Sequence, residues 1–178
     1  MAFQKILVAL DCSSLTAEIV FQQAIKLAKT EGSHLMLFHC ISWDNKEQTN
    51  PILGIGTLGN ANLHTTLQQL YQNSWSGEIA QVRDRLHSFY EEAKSEGVSV
   101  EYEYKMGNPS TTICEQAEQW GADLVIIGRK TFMKWSDILS RKVSRYVLDH
   151  ADCSVFVIQT GISAMDSLPV AEAQAALN

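Results

Sequence analysis

This sequence lacks long apolar runs, and its cysteines lack the spacings that are typical of metal-binding sites. No stretch approaches the roughly eighteen apolar residues that a membrane-spanning helix needs, and the apolar run near the amino terminus is too short for a signal peptide. The four cysteines, Cys12, Cys40, Cys114 and Cys153, form neither a C-x-x-C pair nor a spacing that suits zinc. We therefore expect a cytoplasmic protein with reduced thiols, no metal site and no association with a membrane.

Basic residues are in the minority. The 178 residues include 14 lysines and arginines against 20 aspartates and glutamates, and the formal net charge is -6. A negative chain has no general attraction to nucleic acid or anionic lipid, so we expect no nucleic-acid partner, and any anion site must be local. With 46% hydrophobic residues, a chain of this length suits one compact domain.

Short apolar runs alternate along the chain with segments of helical periodicity. The runs at 5–10, 34–40, 123–128 and 154–158 predict strands, and the first and third suit strands buried on both faces. The segment 98–104, VSVEYEY, alternates strictly between apolar and polar residues, which is typical of an edge strand with one buried face. Helices are predicted from Ser14 to Gly32, Ile79 to Gly97, Asn108 to Gly121 and Leu139 to His150.

This order of elements predicts an α/β fold with a single doubly wound domain. Because strands and helices alternate, right-handed crossovers give a parallel sheet with helices on both faces. Ligands of such sheets bind outside the carboxyl ends of the strands, where the winding reverses direction. If the first strand is central, with the second strand on one side and the fourth on the other, that crevice lies between Asp11 and Gly128.

The middle of the chain, residues 41–75, shows no clear periodicity, and we predict a long loop insertion there. It contains GIGTLG, residues 54–59, which matches the dinucleotide pattern G-x-G-x-x-G. The match is weak, because the glycines do not directly follow a strand and the next residues do not open an amphipathic helix. A mobile loop is the preferred interpretation. The tail, residues 161–178, is predicted to be flexible, either a frayed helix or disordered.

Enzymatic chemistry finds little support in the sequence. A cysteine phosphatase built on Cys12 would need an arginine six residues later, where the chain has Glu18. A phosphorelay receiver would need several acids near the first strand, where only Asp11 fits, and a pyrophosphate-splitting synthetase would need a glycine-rich loop there. No Ser/His/Asp or paired-carboxylate set emerges. We therefore predict no catalytic residues and no enzyme; ATP turnover that depends on Asp11 would indicate one.

Three polar residues have a structural explanation. Asp11 could interact with the dipole of the first helix or contact a ligand, and both interpretations remain open. His39 lies in a buried strand, where a hydrogen-bonded core imidazole is expected rather than a catalytic one. His150 is near the end of the fourth helix, where a partial positive charge is favourable.

The basic residues concentrate in one segment. Positions 129 to 145 contain six of the chain's fourteen lysines and arginines and a single acidic residue, Asp137. They are Arg129, Lys130, Lys134, Arg141, Lys142 and Arg145. Such a run is either a solvated basic face or an anion site at a helix amino terminus. Its position after the fourth strand, beside the predicted crevice, keeps both interpretations open.

Several segments together resemble the universal stress protein family. KILVALDCS resembles its first strand and turn, GNPSTTICEQAEQWGADLVIIGR its third helix and fourth strand, and VSRYVLDHADCSVFVI its last helix and strand. The likeness covers roughly Phe3 to Gln159, which suggests a family domain over 1–160. It implies a five-stranded parallel sheet of order 3-2-1-4-5, Rossmann-like and of the adenine nucleotide alpha hydrolase type. The edge character of 98–104 agrees with that order.

The resemblance also implies a homodimer, in which the last strands of two subunits pair across a two-fold axis. The interface residues would be Val155, Phe156, Val157 and Ile158. An unpaired apolar edge would otherwise promote aggregation.

ATP-binding members of the family carry G-x-x-G, nine residues and then G-[ST], where the glycines let backbone N–H groups approach the phosphates. Aligned without gaps, this chain keeps Gly128 but has Thr131, Arg141 and Lys142 at the next three positions. A β-branched residue at a positive-φ position costs on the order of 1–2 kcal/mol, and the added bulk would fill space that a phosphate needs. The two added positive charges would in turn attract phosphate.

Two functional interpretations follow. In the first, the chain is a regulatory stress-response protein that acts as a homodimer, with ATP binding weakened or lost, and with ATP, AMP or another small anion as its ligand if one binds. The contacts implied by the resemblance would come from Ala9, Asp11, Cys40, Ile41, Gly128, Arg129, Thr131, Arg141, Lys142, Val143 and Ser144. In the second, it is an interaction module without nucleotide, which docks a protein partner through the 41–75 loop and the basic 129–145 surface.

Overall fold

The computed structural model describes residues 3–12, 14, 16–42, 61–129 and 138–159, in the case of 61–76 and 138–141 without their side chains. The strands are β1 (Lys5–Ala9), β2 (His34–Ser42), β3 (Ser99–Gly107), β4 (Leu124–Arg129) and β5 (Ser154–Gln159). The helices are α1 (Thr16–Glu31), α2 (Ala61–Ser95), α3 (Pro109–Trp120) and α4 (Ile138–His150). None of the helices in these ranges is long and apolar enough to cross a membrane.

The strands form one parallel sheet in the order β3-β2-β1-β4-β5, which confirms the predicted topology. β1 lies at the centre, where Val8 pairs with Leu37 of β2 on one side and with Ile126 of β4 on the other. The chain winds from β1 outward to β3 and then crosses to the far side of β1 to form β4 and β5. The ends of β1 and β4 therefore flank the point at which the winding changes direction.

An apolar layer on each face of the sheet holds the helices. On one face Phe21 of α1 and Phe89 of α2 pack with ring centroids 4.4 Å apart, in the same cluster as Val8 of β1. On the other face Ile113 of α3 and Val147 of α4 belong to a second buried cluster. Because β1 contributes side chains to both clusters, its apolar run shows no alternation.

The end of α1 and both ends of α3 lie where the sequence predicts them. Gly32 and Gly121, each with a φ angle of 71°, follow α1 and α3 in the left-handed conformation that favours glycine. The side-chain oxygen of Asn108 accepts a hydrogen bond from the N–H of Ser110 at 3.0 Å, and Pro109 takes the first helical position of α3.

The predicted loop at 41–75 differs from the structure at both ends. β2 continues through Ser42, and α2 begins at Ala61, so residues 61–75 are helical. The helix extends ahead of the periodic segment that starts at Ile79, because each residue added to an existing helix gains a backbone hydrogen bond without new nucleation. Residues 43–60, with the glycine pattern 54–59, and the tail 161–178 lie outside the described residues.

β3 is an edge strand, as its alternation predicts, and β2 is its one strand neighbour in the described chain. Tyr102 and Tyr104 pack partly against the cluster beneath α1 and α2. On the opposite face, Glu101 accepts a hydrogen bond from Nε1 of Trp120 at 2.6 Å and lies 3.1 Å from Nε2 of His34. The polar half of the alternation thus ties β3 to the end of α3 and to β2.

Candidate functional site

A cleft of about 710 Å³ opens at the carboxyl edge of the sheet, where β1, β2 and β4 end. Its volume lies in the range that is typical of small-molecule sites. The switch point therefore coincides with a cavity, as expected for a doubly wound sheet. Among the residues predicted for a nucleotide site, those that line it are Ala9, Asp11, Cys40, Ile41, Gly128, Lys142 and Val143.

Two predicted residues are described but do not line this cleft. Ser144 is buried within α4, with 2% of its surface exposed. Arg129 is the last residue of β4 and is half-buried, but it is not among the residues that line the cleft. Thr131 and the side chain of Arg141 lie outside the described residues, as do positions 130–137 of the basic segment. The interpretations of that segment as an anion site or a docking surface stay predictions.

The turn between β1 and α1 brings Asp11 to the cleft. The N–H of Leu10 donates to the carbonyl oxygen of Phe38 on β2 at 2.8 Å, after which the chain leaves the sheet. The N–H of Ser14 donates to the carbonyl oxygen of Asp11 at 2.9 Å, and the Ser14 hydroxyl oxygen accepts from the N–H of Thr16 at 3.2 Å. This arrangement begins α1 and leaves the Asp11 carboxylate exposed ahead of the helix.

His39 is a buried imidazole with a main-chain partner, as predicted for a core histidine. It is 9% exposed, and its Nδ1 lies 2.7 Å from the carbonyl oxygen of Leu10 and 3.3 Å from the backbone nitrogen of Cys12. One ring nitrogen cannot donate and accept at once, and the shorter contact, to an acceptor, assigns the hydrogen to Nδ1. His39 therefore donates to Leu10, and its ring also lines the cleft.

Burial makes the two cysteines of the cleft poor nucleophiles. It raises the pKa of Cys12 from 9.0 to about 12, a rise to which the charge of Asp11 adds and which Arg85 opposes. Burial also raises the pKa of Cys40, against a hydrogen bond with Thr112 that lowers it. Thiols rather than thiolates therefore face the cleft near neutral pH. Among the residues that the structure describes, no group of three His, Cys, Asp or Glu could hold a metal ion.

The cleft carries charge of both signs on mainly apolar walls. Asp11 and Glu78 line the side near α1 and α2, whereas Lys142 lines the side near α4. Phe38 and Ile113 contribute apolar surface between them. The arrangement is complementary to a ligand with a flat apolar body, hydroxyl or amino groups toward the acids, and an anionic group toward α4.

Three further stretches, which the sequence patterns do not single out as parts of the site, also line the cleft. The start of α3 was detectable, because β3 ends at Gly107 and the carboxyl ends of parallel strands meet at one edge of the sheet. The start of α1 was detectable in the same way, because β1 ends at Ala9. The contribution of α2 was not, since residues 78–82 lie in the middle of that helix and helical periodicity does not show which turn reaches the sheet edge. The stretches are Thr16, Ala17 and Val20 of α1, Glu78, Gln81 and Val82 of α2, and Asn108, Pro109, Ser110 and Ile113 of α3.

β5 forms the second edge of the sheet, and β4 is its one strand neighbour within the described ranges. Val155 and Val157 pack partly against the cluster under α3 and α4, and Ile158 is buried on the other face. Phe156 is 48% exposed. Among the described residues, the strand predicted to form a dimer thus combines a main-chain edge without a strand neighbour and an exposed aromatic ring.

His150 lies in the last turn of α4, where it was predicted. Its Nδ1 is 2.9 Å from the carbonyl oxygen of Tyr146, and the two rings stack with centroids 3.9 Å apart. The imidazole thus belongs to the helix end and is not part of the cleft lining.

Known proteins share this architecture. The model of the universal stress protein family matches residues 2–159. This chain belongs to that family. A curated relative, universal stress protein Sll1388 of Synechocystis sp. (strain ATCC 27184 / PCC 6803 / Kazusa), is 34% identical over 161 residues, which cover 89% of this chain and 99% of the relative.

Solved universal stress proteins have the same fold. UspA from Lactobacillus plantarum matches with a TM-score of 0.66 at 22% identity, over 89% of this chain and 99% of that one. A family protein from Arabidopsis thaliana with AMP bound matches with a TM-score of 0.54 at 17% identity, over 96% of this chain and 99% of that one. Further matches are universal stress proteins in complex with cAMP and with dAMP, with TM-scores of 0.60 and 0.54.

Proposed function

We propose that this chain is a regulatory stress-response protein that binds an adenine nucleotide in the cleft and acts as a homodimer. One observation carries the nucleotide proposal. Asp11, which lies beyond the end of β1, and Gly128, the penultimate residue of β4, line a single cleft, and Lys142 lines it from α4. Open α/β sheets bind their ligands at this position.

The walls of the cleft favour the adenine nucleotide class. Phe38 and Ile113 offer apolar surface to a base, and Asn108 and Asp11 offer groups that can hydrogen-bond to its edge or to ribose hydroxyls. Universal stress proteins of the same fold hold AMP, dAMP and cAMP. In our proposal the base and ribose lie near Asp11 and β2, and the first phosphate lies near Lys142.

ATP is expected to bind less tightly than AMP. Thr131 and Arg141 stand where the ATP-binding pattern has glycine, so their side chains would occupy the space in which backbone N–H groups approach the outer phosphates. Lys142 still provides a positive charge for a single phosphate. The substitutions therefore weaken the part of the site that distinguishes a triphosphate from a monophosphate.

Isothermal titration calorimetry with AMP and ATP tests this proposal. We expect measurable heat with AMP, weaker binding of ATP, and a loss of about three- to tenfold in AMP affinity for Lys142→Ala. Lys26→Ala is the matched control, because Lys26 is an exposed helical lysine outside the cleft lining. Absence of heat with both nucleotides at millimolar concentration would refute nucleotide binding.

We further propose that the protein binds without turnover, in the cytoplasm, and that ligand binding changes its association with partners. The two cysteines in the described part of the cleft are held as thiols, which does not favour nucleophilic chemistry. All four cysteines are free, which supports a reducing compartment. Release of phosphate from ATP is expected at the background rate; release that disappears in Asp11→Ala would contradict this part.

The homodimer is proposed to form through β5. In the part of the chain that the structure describes, β5 has a strand neighbour on one side only. Its other edge can pair with a second copy across a two-fold axis, and the pairing would cover the exposed ring of Phe156. Val155, Val157 and Ile158 would complete the paired strand.

A further inference from the structure

We propose that His39 is a positioning residue of the cleft. Its Nδ1 holds the β1–α1 turn and thereby sets the direction in which Asp11 faces a ligand. The expected effect on affinity rests on the nucleotide site proposed above, whereas the expected effect on the turn does not.

The hydrogen bonds around Leu10 support this role. Leu10 is the residue after β1 and is 4% exposed. Its N–H donates to the carbonyl oxygen of Phe38 at 2.8 Å, and its carbonyl oxygen accepts a hydrogen bond from Nδ1 of His39 at 2.7 Å. Both polar groups of this one residue are therefore fixed to neighbouring positions of β2. A buried carbonyl oxygen needs such a donor, and here a side chain supplies it.

Asp11 follows directly and is held on its other side as well. Its carbonyl oxygen accepts from the N–H of Ser14 at 2.9 Å, at the start of α1. The backbone of Asp11 thus lies between two anchored points, one made by His39 and one made by the helix. Loss of the first anchor would free the turn while leaving the sheet and α1 intact.

The ring of His39 also lines the cleft, so direct contact with a ligand is the competing role. Two amide side chains separate these roles. Asparagine places a nitrogen at the position of Nδ1, and glutamine places one at the position of Nε2. A positioning role through Nδ1 predicts that His39→Asn binds AMP within about twofold of the wild type, whereas His39→Gln loses roughly tenfold.

His34→Gln is the matched control. His34 lies at the amino end of the same strand, bonded to Ser99 and Glu101, far from the edge that carries the cleft. Its replacement is expected to leave AMP affinity unchanged. A further test uses Asp11→Asn: because His39 acts through Asp11, His39→Gln should cost little additional affinity in that background.

Hydrogen exchange of the ligand-free protein provides a readout that does not depend on nucleotide. The amide of Ser14 should exchange faster in His39→Gln than in the wild type and be restored in His39→Asn, while the amide of Val8 in the core of the sheet keeps its rate. Equal acceleration at Val8 would mean that the ring supports only global stability, which overturns the proposal.

The outcomes separate the two proposals. AMP affinity that is retained in His39→Gln but lost in His39→Asn would assign direct contact through Nε2 and overturn the positioning role. The positioning role would also be overturned if the losses of AMP affinity caused by His39→Gln and Asp11→Asn add fully in the double variant. If the wild type binds no AMP, the proposed function fails, and the exchange rate of Ser14 alone decides the role of His39. If His39→Gln does not fold, a loss of affinity in the folded His39→Asn protein is the overturning result.

Discussion

Asp11 and Gly128 line the same cleft because the strands that carry them to it are neighbours: Ala9 at the end of β1 pairs with Ile127 of β4. The carboxyl ends of the two strands therefore lie side by side at the point where the sheet reverses its winding. α4 then places Lys142 on the same opening. The candidate site is thus a consequence of strand order, and its ligand preference depends on the side chains placed at that edge.

Restoring the glycine pattern is expected to strengthen ATP binding. The combined change Thr131→Gly and Arg141→Gly recreates G-x-x-G, nine residues and G starting at Gly128, and it keeps the charge of Lys142. It removes bulk at the outer phosphates and allows close approach of backbone N–H groups, so we expect ATP affinity to rise roughly tenfold or more in calorimetry. An ATP affinity that stays the same or falls would show that these positions do not limit phosphate binding.

A charge on the β5 edge is expected to separate the dimer. Phe156→Lys places an ammonium group where two copies of β5 would meet, and lysine on an edge strand opposes strand pairing. Met106→Lys is the control, because Met106 is 37% exposed on the opposite edge strand, β3. Light scattering after size exclusion should give a dimer mass for the wild type and the control and a monomer mass for Phe156→Lys. A monomeric wild type would contradict the proposed assembly.

Alanine is expected to act in opposite directions at two glycines. Gly121 has a φ angle of 71° and its N–H donates to the carbonyl oxygen of Glu118, so Gly121→Ala should lower the free energy of unfolding by about 1 kcal/mol. Gly77 lies within α2, and an added Cβ would meet nothing within 4 Å. Gly77→Ala should therefore raise the free energy of unfolding by up to about 1 kcal/mol. Urea denaturation measures both, and changes of the same sign would be inconsistent with these conformations.

Cys12 is expected to make the protein less stable in alkaline solution. Burial raises the pKa of its thiol from 9.0 to about 12. Between pH 9 and pH 12 the Cys12 thiol is deprotonated in the unfolded chain but still protonated in the folded chain, which favours unfolding. The contribution of Cys12 to the free energy of unfolding is therefore complete below pH 9 and declines as the pH rises toward 12. Urea denaturation from about pH 8 to pH 10 should show a shallower decline for Cys12→Ala than for the wild type. Identical slopes would exclude this contribution.

Much of the fold could be predicted because its signals are local. The apolar run of β1 reflects burial on both faces, the alternation of β3 reflects its edge position, and Asn108 and Gly121 bound α3 through their own backbone preferences. The helix over 61–75 could not be predicted, since its residues lack the apolar periodicity on which the prediction of a helix depends.

The site was predictable in part for the same reason. Asp11 and Gly128 follow from the strand order, and Lys142 follows from the resemblance to a family. The role of His39 does not follow from either, because it depends on a ring nitrogen of β2 meeting a carbonyl group beyond β1. Contacts of this kind are set by tertiary geometry that spacing along the chain does not encode.

A crystal structure of the protein grown with AMP is the most direct test of the nucleotide site. We expect electron density for the nucleotide between Asp11 and Gly128, with its phosphate toward Lys142. Density at another surface, or a cleft without nucleotide in crystals grown at millimolar AMP, would contradict the proposal.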